Sequence, residues 1–293
     1  MKLALKVDVT TLRGARDGVP RLASLFQQHG AGATFFFCVG GGGSRMAGLL
    51  SSPGLGRRAG GAMRAIRDAG FDTGVQAADA QHWCRHVAHA TAAWTQAQMQ
   101  LAIDRYADVF GEAPRSHAAA GWQTNAQALR LTQRLGFDFC SDGRGHGPHL
   151  PVRNAELVRC PQLPTTLPTL DEFLGEAGAG AGRAVTRILE QTATSLPDSA
   201  VFTLCADRDG RGRLQDVEDL IKGWLGLGLE LVALRSLYED LEPLQLPRCI
   251  VTLDPGHGSR FLMQGAEFLD DCATIGLDTS EADIDEGESH VRC

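Results

Sequence analysis

Between Leu3 and Leu234 the chain switches repeatedly from short apolar runs to stretches of helical periodicity and back. No other feature restricts the fold as much. Strands joined through intervening helices pair in parallel, and a parallel sheet has to be covered by those helices. LALKVDV, residues 3–9, is the first run. A helix follows from about Gly18 to His29, with Pro20 suited to its first turn and Val19, Leu22, Leu25 and Phe26 on one face. Further strands are expected at ATFFFCV (33–39), FDTGVQ (71–76), SHAAAG (116–121), FDFCSD (137–142), ELVRCP (156–161), AVFTLCAD (200–207) and LELVAL (229–234). Helices are expected around 61–69, over TQAQMQLAIDRYADVF (95–110), and from near Thr124, Gly182 and Leu214. The second of these opens on a Thr95/Gln98 capping box and turns Met99, Ile103, Tyr106 and Phe110 inward. Seven or so such units predict an α/β fold, a closed or nearly closed barrel in one domain over 1–245. Residues 246–293 read as an extension, acidic and flexible from about 266.

A net charge of −7 argues against a nucleic-acid partner. No apolar run approaches the roughly 20 residues of a membrane span, and Lys2 and Lys6 straddle a strand rather than head a signal peptide. The expectation is a cytoplasmic protein, peripheral at most to the inner membrane. Eight cysteines without a C-x-x-C pair fit reduced, buried thiols rather than a zinc knuckle. Gly40 to Gly43 lack the spacing of a phosphate loop and read as a connection, and His257 in DPGHGSR reads as a solvated turn residue.

Asp8 ends the first strand, where α/β folds place catalytic side chains, and Thr10 follows on the same face. Around it TLRGARDGVPRL (11–22), SHAAAGW (116–122), FCSDGRG (139–145) and PTTLPTLDEF (164–173) occur in order. With these pieces the chain resembles the polysaccharide deacetylase (NodB-homology) superfamily. Within it, the chain looks most like the deformylases that act on 4-deoxy-4-formamido-arabinose carried on undecaprenyl phosphate, in the decoration of lipid A. The resemblance implies a distorted (β/α)7-type barrel and an amide hydrolysis in which a divalent metal polarises the carbonyl and activates water.

The same resemblance implies which residues would do the work. The metal positions fall on Thr10, Gln76 and Ala80, none of which suits zinc. Asp8 takes the general-base position. Gln123 stands where an Arg would hold that base ionised, and Cys205 where a His would protonate the leaving amine. Asp142 matches the acid that orients the missing His. Arg13, Trp122 and Arg144 are the ligand-binding candidates, with Arg13 and Arg16 able to grip an anion and Trp122 to face a sugar ring. The apolar insert of such deformylases is reduced here to GGGGSRMAGLLSSPGLGRR (40–58).

The expectation is a pseudoenzyme without a metal cofactor. It would keep a role in cell-envelope sugar metabolism by binding a sugar-nucleotide- or lipid-linked amino sugar or a partner enzyme. The alternative is an active amidohydrolase of formamido or acetamido sugars, with zinc or another divalent metal held by Asp8, His82 and His86, since HWCRH restores the His-x-x-x-His spacing six residues downstream. Cys205 could also act as a nucleophile, but carboxylates beside it disfavour the thiolate.

Overall fold

The computed structural model describes residues 1–40, 54–174, 181–195, 199–256 and 259–269. Gly41 to Gly43, most of the shortened insert, His257 and nearly all of the acidic tail lie outside these residues. Five strands come first: β1 (Lys2–Val9), β2 (Thr34–Phe37), β3 (Asp72–Val75), β4 (Ser116–His117) and β5 (Phe139–Cys140). They are followed by β6 (Leu150–Arg153), β7 (Glu156–Leu157), β8 (Ser199–Cys205), β9 (Glu230–Val232), β10 (Arg248–Gly256) and β11 (Ser259–Glu267).

Seven of these form one curled parallel sheet in the order β5-β4-β3-β2-β1-β8, with β9 beside β1. β1 lies at its centre. One edge pairs along its length with β8, while the other is shared between β9, at Lys2 to Ala4, and β2, at Lys6 to Val9. The barrel is closed by a segment that is not a strand. The Leu163 amide donates to Cys140 O and the Thr166 amide to Val201 O, so residues 163–166 bridge β5 to β8.

The helices are α1 (Val19–Gln28), α2 (Leu55–Asp68), α3 (Ala80–His86), α4 (Ala92–Phe110) and α5 (Ala126–Arg134), then α6 (Leu170–Leu174), α7 (Ala181–Ser195), α8 (Asp209–Gly212), α9 (Leu214–Gly226) and α10 (Leu234–Glu239). The larger apolar cluster lies between the sheet and these helices and includes Val7, Phe26, Phe35, Met63, Tyr106, Phe202 and Trp224. A smaller one, with Ala4, Phe36, Ala118, Phe139, Leu163 and Val201, fills the barrel interior. Strand alternation explains the split, since residues i and i+2 share a face.

Two local expectations change. The α4 cap is Thr91, whose hydroxyl accepts the Trp94 amide, and not Thr95. Thr95 is a buried residue of the first turn, hydrogen-bonded to Thr91 O and to the Asn125 amide, because the helix starts three residues earlier than its periodicity indicates. In ELVRCP only Glu156–Leu157 is a strand, and it runs antiparallel to β6 outside the barrel sheet. That places it in a second, four-stranded sheet, β11-β10-β6-β7, which uses residues 248–267.

Two glycines of the TLRGARDGVPRL stretch have a packing reason. A Cβ on Gly18 would meet Ala206 O at 1.8 Å, and one on Gly14 would meet the Asp207 amide at 3.1 Å. The loops after β1 and β8 interlock at those two points, which fixes the strand ends carrying Asp8 and Cys205.

Candidate active-site cleft

A cleft of about 1000 Å³ opens at the C-terminal end of β1 and β8. Asp8, Thr10, Trp122, Arg144 and Cys205 line it together, with Thr203, Arg208, Asp209 and Phe261. Asp8 and Cys205 are register partners on adjacent strands. Of the remaining candidates, Gln76 is buried behind Asp8, Ala80 lines a neighbouring cavity of about 390 Å³ that shares Thr10, and Arg13 is exposed and lines neither.

The floor of the cleft contains a residue the sequence reading passed over. Lys6 lies two positions before Asp8 on the same strand face, wholly buried in the barrel interior. Its Nζ is 3.6 Å from Asp8 Oδ1, donates to Ser141 O at 3.0 Å, and stands 5.7 Å from the Phe36 ring centre and 5.9 Å from that of Trp122. The signal was present: a lysine inside an apolar strand, at the period-2 spacing from the acid. Burial pushes the Asp8 carboxyl above the usual carboxylate range, and Lys6 is the largest influence opposing it. Gln76 also favours the charged form. Even so, Asp8 Oδ1 and Gln76 Nε2 both lack a well-formed hydrogen bond, so the contact is electrostatic proximity rather than a bond. Gln76 Oε1 accepts from the Cys38 thiol at 3.2 Å.

On the β8 side, the Cys205 amide donates to Asp209 Oδ2 at 2.6 Å. Burial pushes the Cys205 thiol up, against the neighbouring Arg208 guanidinium, and pushes Asp209 to about 6. Arg208 and Arg213 both pair with Asp171, supplied by PTTLPTLDEF, at 2.7 and 2.6 Å. Arg144 pairs with Glu172 of the same stretch and donates to Leu167 O. The motif therefore arrives as acids that hold the cleft's arginines.

Trp122 has left-handed backbone (φ 55°), which a bulky residue adopts only where its surroundings hold it. Its indole Nε1 donates to Thr165 Oγ1, which is bonded in turn to Thr203 Oγ1. Arg144 lies over the ring at 5.0 Å, and Phe261 meets it edge to face at 5.8 Å. Gln123, next in sequence, does not line the cleft; its backbone carbonyl accepts from Trp83 Nε1.

Asp142 does not reach this cleft. It is 1% exposed and bonded to His117 Nδ1 (2.7 Å) and Gln162 Nε2 (3.0 Å), while its own amide donates to Gln162 Oε1. Its partner is therefore His117, not the residue at position 205. Among the described residues, the group of three whose donor atoms come within 4.8 Å of one another is His117, Cys140 and Asp142, all buried. His82 and His86 are not brought to Asp8; their rings lie tilted to one another with centres 4.5 Å apart, each beside Trp94.

A barrel of this topology, with a cleft at the end of β1 lined from three of the four motifs, is the fold seen in polysaccharide deacetylases, and the sequence is related to the ArnD deformylases. In sequence it is similar to the probable 4-deoxy-4-formamido-L-arabinose-phosphoundecaprenol deformylase ArnD of Shewanella sediminis (strain HAW-EB3), 28% identical over 274 residues that cover 82% of this chain and 88% of that one. A second ArnD protein, from Wigglesworthia glossinidia brevipalpis, is 27% identical over 121 residues, 41% of this chain and 42% of its own. No protein-family model matches. In structure the chain is similar to a polysaccharide deacetylase from Mycobacterium smegmatis (TM-score 0.66, 16% identity, 87% of this chain and 95% of that one). It is also similar to a CE4-family pseudoenzyme from Bacillus anthracis (TM-score 0.55, 10% identity, 81% and 65%). No helix among the described residues is long and apolar enough to cross a membrane.

Proposed function

We propose that the protein is a pseudoenzyme of the polysaccharide deacetylase and formamido-arabinose deformylase group, whose cleft binds an amino-sugar ligand without hydrolysing it. The observation that carries this reading is the environment of Asp8. The charged group facing it is the buried Lys6 ammonium, and the three positions that the resemblance gives to the metal hold Thr10, Gln76 and Ala80. A hydroxyl, an amide engaged by Cys38 and a methyl group do not make a zinc donor set. The residues do not fit the metal. Cys205 at the acid position, its thiol pushed up by burial, is a poor proton donor to a leaving amine near neutral pH.

The amide-cleaving relatives supply the ligand class. A lipid-linked amino sugar of the kind named for the ArnD proteins, or its nucleotide-linked form, is the ligand this reading assigns. A partner enzyme docked at the cleft mouth is its extension.

The test is elemental analysis of the purified protein together with formate and acetate release from formamido and acetamido sugars. The expected result is substoichiometric zinc and no release. Release by the wild-type chain would overturn the reading, as would zinc lost on His82→Ala and His86→Ala. Zinc that survives those changes and disappears in Cys140→Ser would occupy the sealed His117 cluster instead. Thr10→Asp, Gln76→His and Ala80→His together should create metal binding on the same scaffold.

A further inference from the structure

We infer that the C-terminal β10–β11 hairpin is a working wall of the ligand cleft and that Phe261 is its specificity-determining residue. The inference rests on the binding function proposed above for the choice of ligand, but the wall itself is argued from packing.

The hairpin is built into the motif that frames the cleft. On the FCSDGRG stretch, the Arg144 amide donates to Leu262 O at 2.8 Å and the Gln264 amide to Arg144 O at 2.9 Å, so β11 adds itself to this loop as a strand would. Gln264 Oε1 then accepts the His146 and Gly147 amides at 2.7 and 3.1 Å. The glycines on either side of Arg144 are required by this approach. A Cβ on Gly143 would lie 2.6 Å from Leu262 O, a backbone atom that cannot step aside, and one on Gly145 would lie 2.3 Å from Gln264 Oε1. The spacing Gly-Arg-Gly thus lets β11 close onto the loop while Arg144 points into the cleft.

Docking there delivers Phe261 to the cleft lining, edge to face with Trp122. Trp122 in turn is fixed by Thr165 and covered by Arg144. Phe261 and Trp122 form an apolar corner, and Asp8, Thr203 and Asp209 put oxygen acceptors in the same lining. An apolar corner in a lining that also offers hydrogen-bonding oxygens suits a ring with one C–H face and one hydroxyl-bearing edge, that is, a sugar ring. Phe261 and Trp122 are far apart in the chain, and the hairpin residue lies in the extension beyond 245.

The first measurement needs no ligand. Acrylamide quenching of the Trp122 emission, obtained as wild type minus Trp122→Phe, should rise at least twofold in Phe261→Ala, and also in Gly145→Val, whose side chain wedges β11 away. Phe261→Tyr should quench like the wild type. Equal quenching in all four proteins, each shown to be folded by its thermal transition, would overturn the wall. The second measurement is binding of N-acetylglucosamine and a 4-formamido-4-deoxy pentose by saturation-transfer NMR, expected to weaken about tenfold in Phe261→Ala and to recover in Phe261→Tyr. Unchanged affinity in Phe261→Ala would remove the specificity role. A wild-type protein that binds neither sugar would end the proposed ligand class, and the quenching result would still decide where the hairpin sits.

Discussion

Two buried acid–base pairs in this barrel are built to opposite standards. His117 and Asp142 meet at 2.7 Å, with Gln162 bonded both to the carboxylate and to the Asp142 amide, and the cluster is sealed. Lys6 and Asp8 stand 3.6 Å apart, Asp8 Oδ1 has no well-formed hydrogen bond, and the carboxylate is 16% exposed to the cleft. A buried polar group left short of partners costs stability, so it persists where something other than stability keeps it. The satisfied pair is structural. The unsatisfied pair is the one the proposed ligand would meet.

Perturbing each pair tests that contrast. Asp142→Ala strands His117 and Gln162 in a site that water does not reach, and should lower unfolding stability by about 3–5 kcal/mol in urea titrations. A loss below about 1 kcal/mol would erase the distinction.

A third buried base sharpens the contrast through pH. His149 is 2% exposed, its Nδ1–H donates to Gly147 O, and burial pushes it to about 4. Among the described residues it has no carboxylate partner, and Nε2 is unbonded. Its folded value lies below the unfolded 6.5, so the unfolded chain takes up the proton first as pH falls. Stability is then complete above about 6.5 and declines toward 4, by about 3 kcal/mol at most. In His149→Leu this acid limb should flatten. An unchanged pH–stability curve in that variant would show that the site hydrates freely.

The smallest stability effect belongs to the cleft pair. Lys6→Met leaves Asp8 at a surface where water or a proton can satisfy it, so about 1–2 kcal/mol is expected. Ligand binding should fall far more than stability does. A loss as large as that of Asp142→Ala would mean Lys6 and Asp8 hold the barrel together, contrary to the contrast drawn above.

Much of the barrel was legible from pattern alone. Strand β1 and helix α1 were found to within a residue or two, because each is set by local periodicity and, for α1, by Pro20 in the first turn. The displaced α4 cap shows the limit: Thr91 and Thr95 are equally good caps by chemistry, and the buried contact from Asn125 selects between them. The partner of Asp142 was not legible for the same reason, since it sits 25 residues earlier on a neighbouring strand.

By itself, the sequence determined the parallel α/β architecture, the family motifs and the unusual residues at the strand ends, because these depend on spacing along the chain. Only the tertiary structure decided which of them meet. Parallel strands bring together residues far apart in the chain, so it set Asp8 beside Cys205, turned Asp142 toward His117, left His82 and His86 against Trp94, and carried Phe261 from the extension into the cleft. Such contacts are fixed by packing between elements, which leaves no mark at any fixed spacing in the chain.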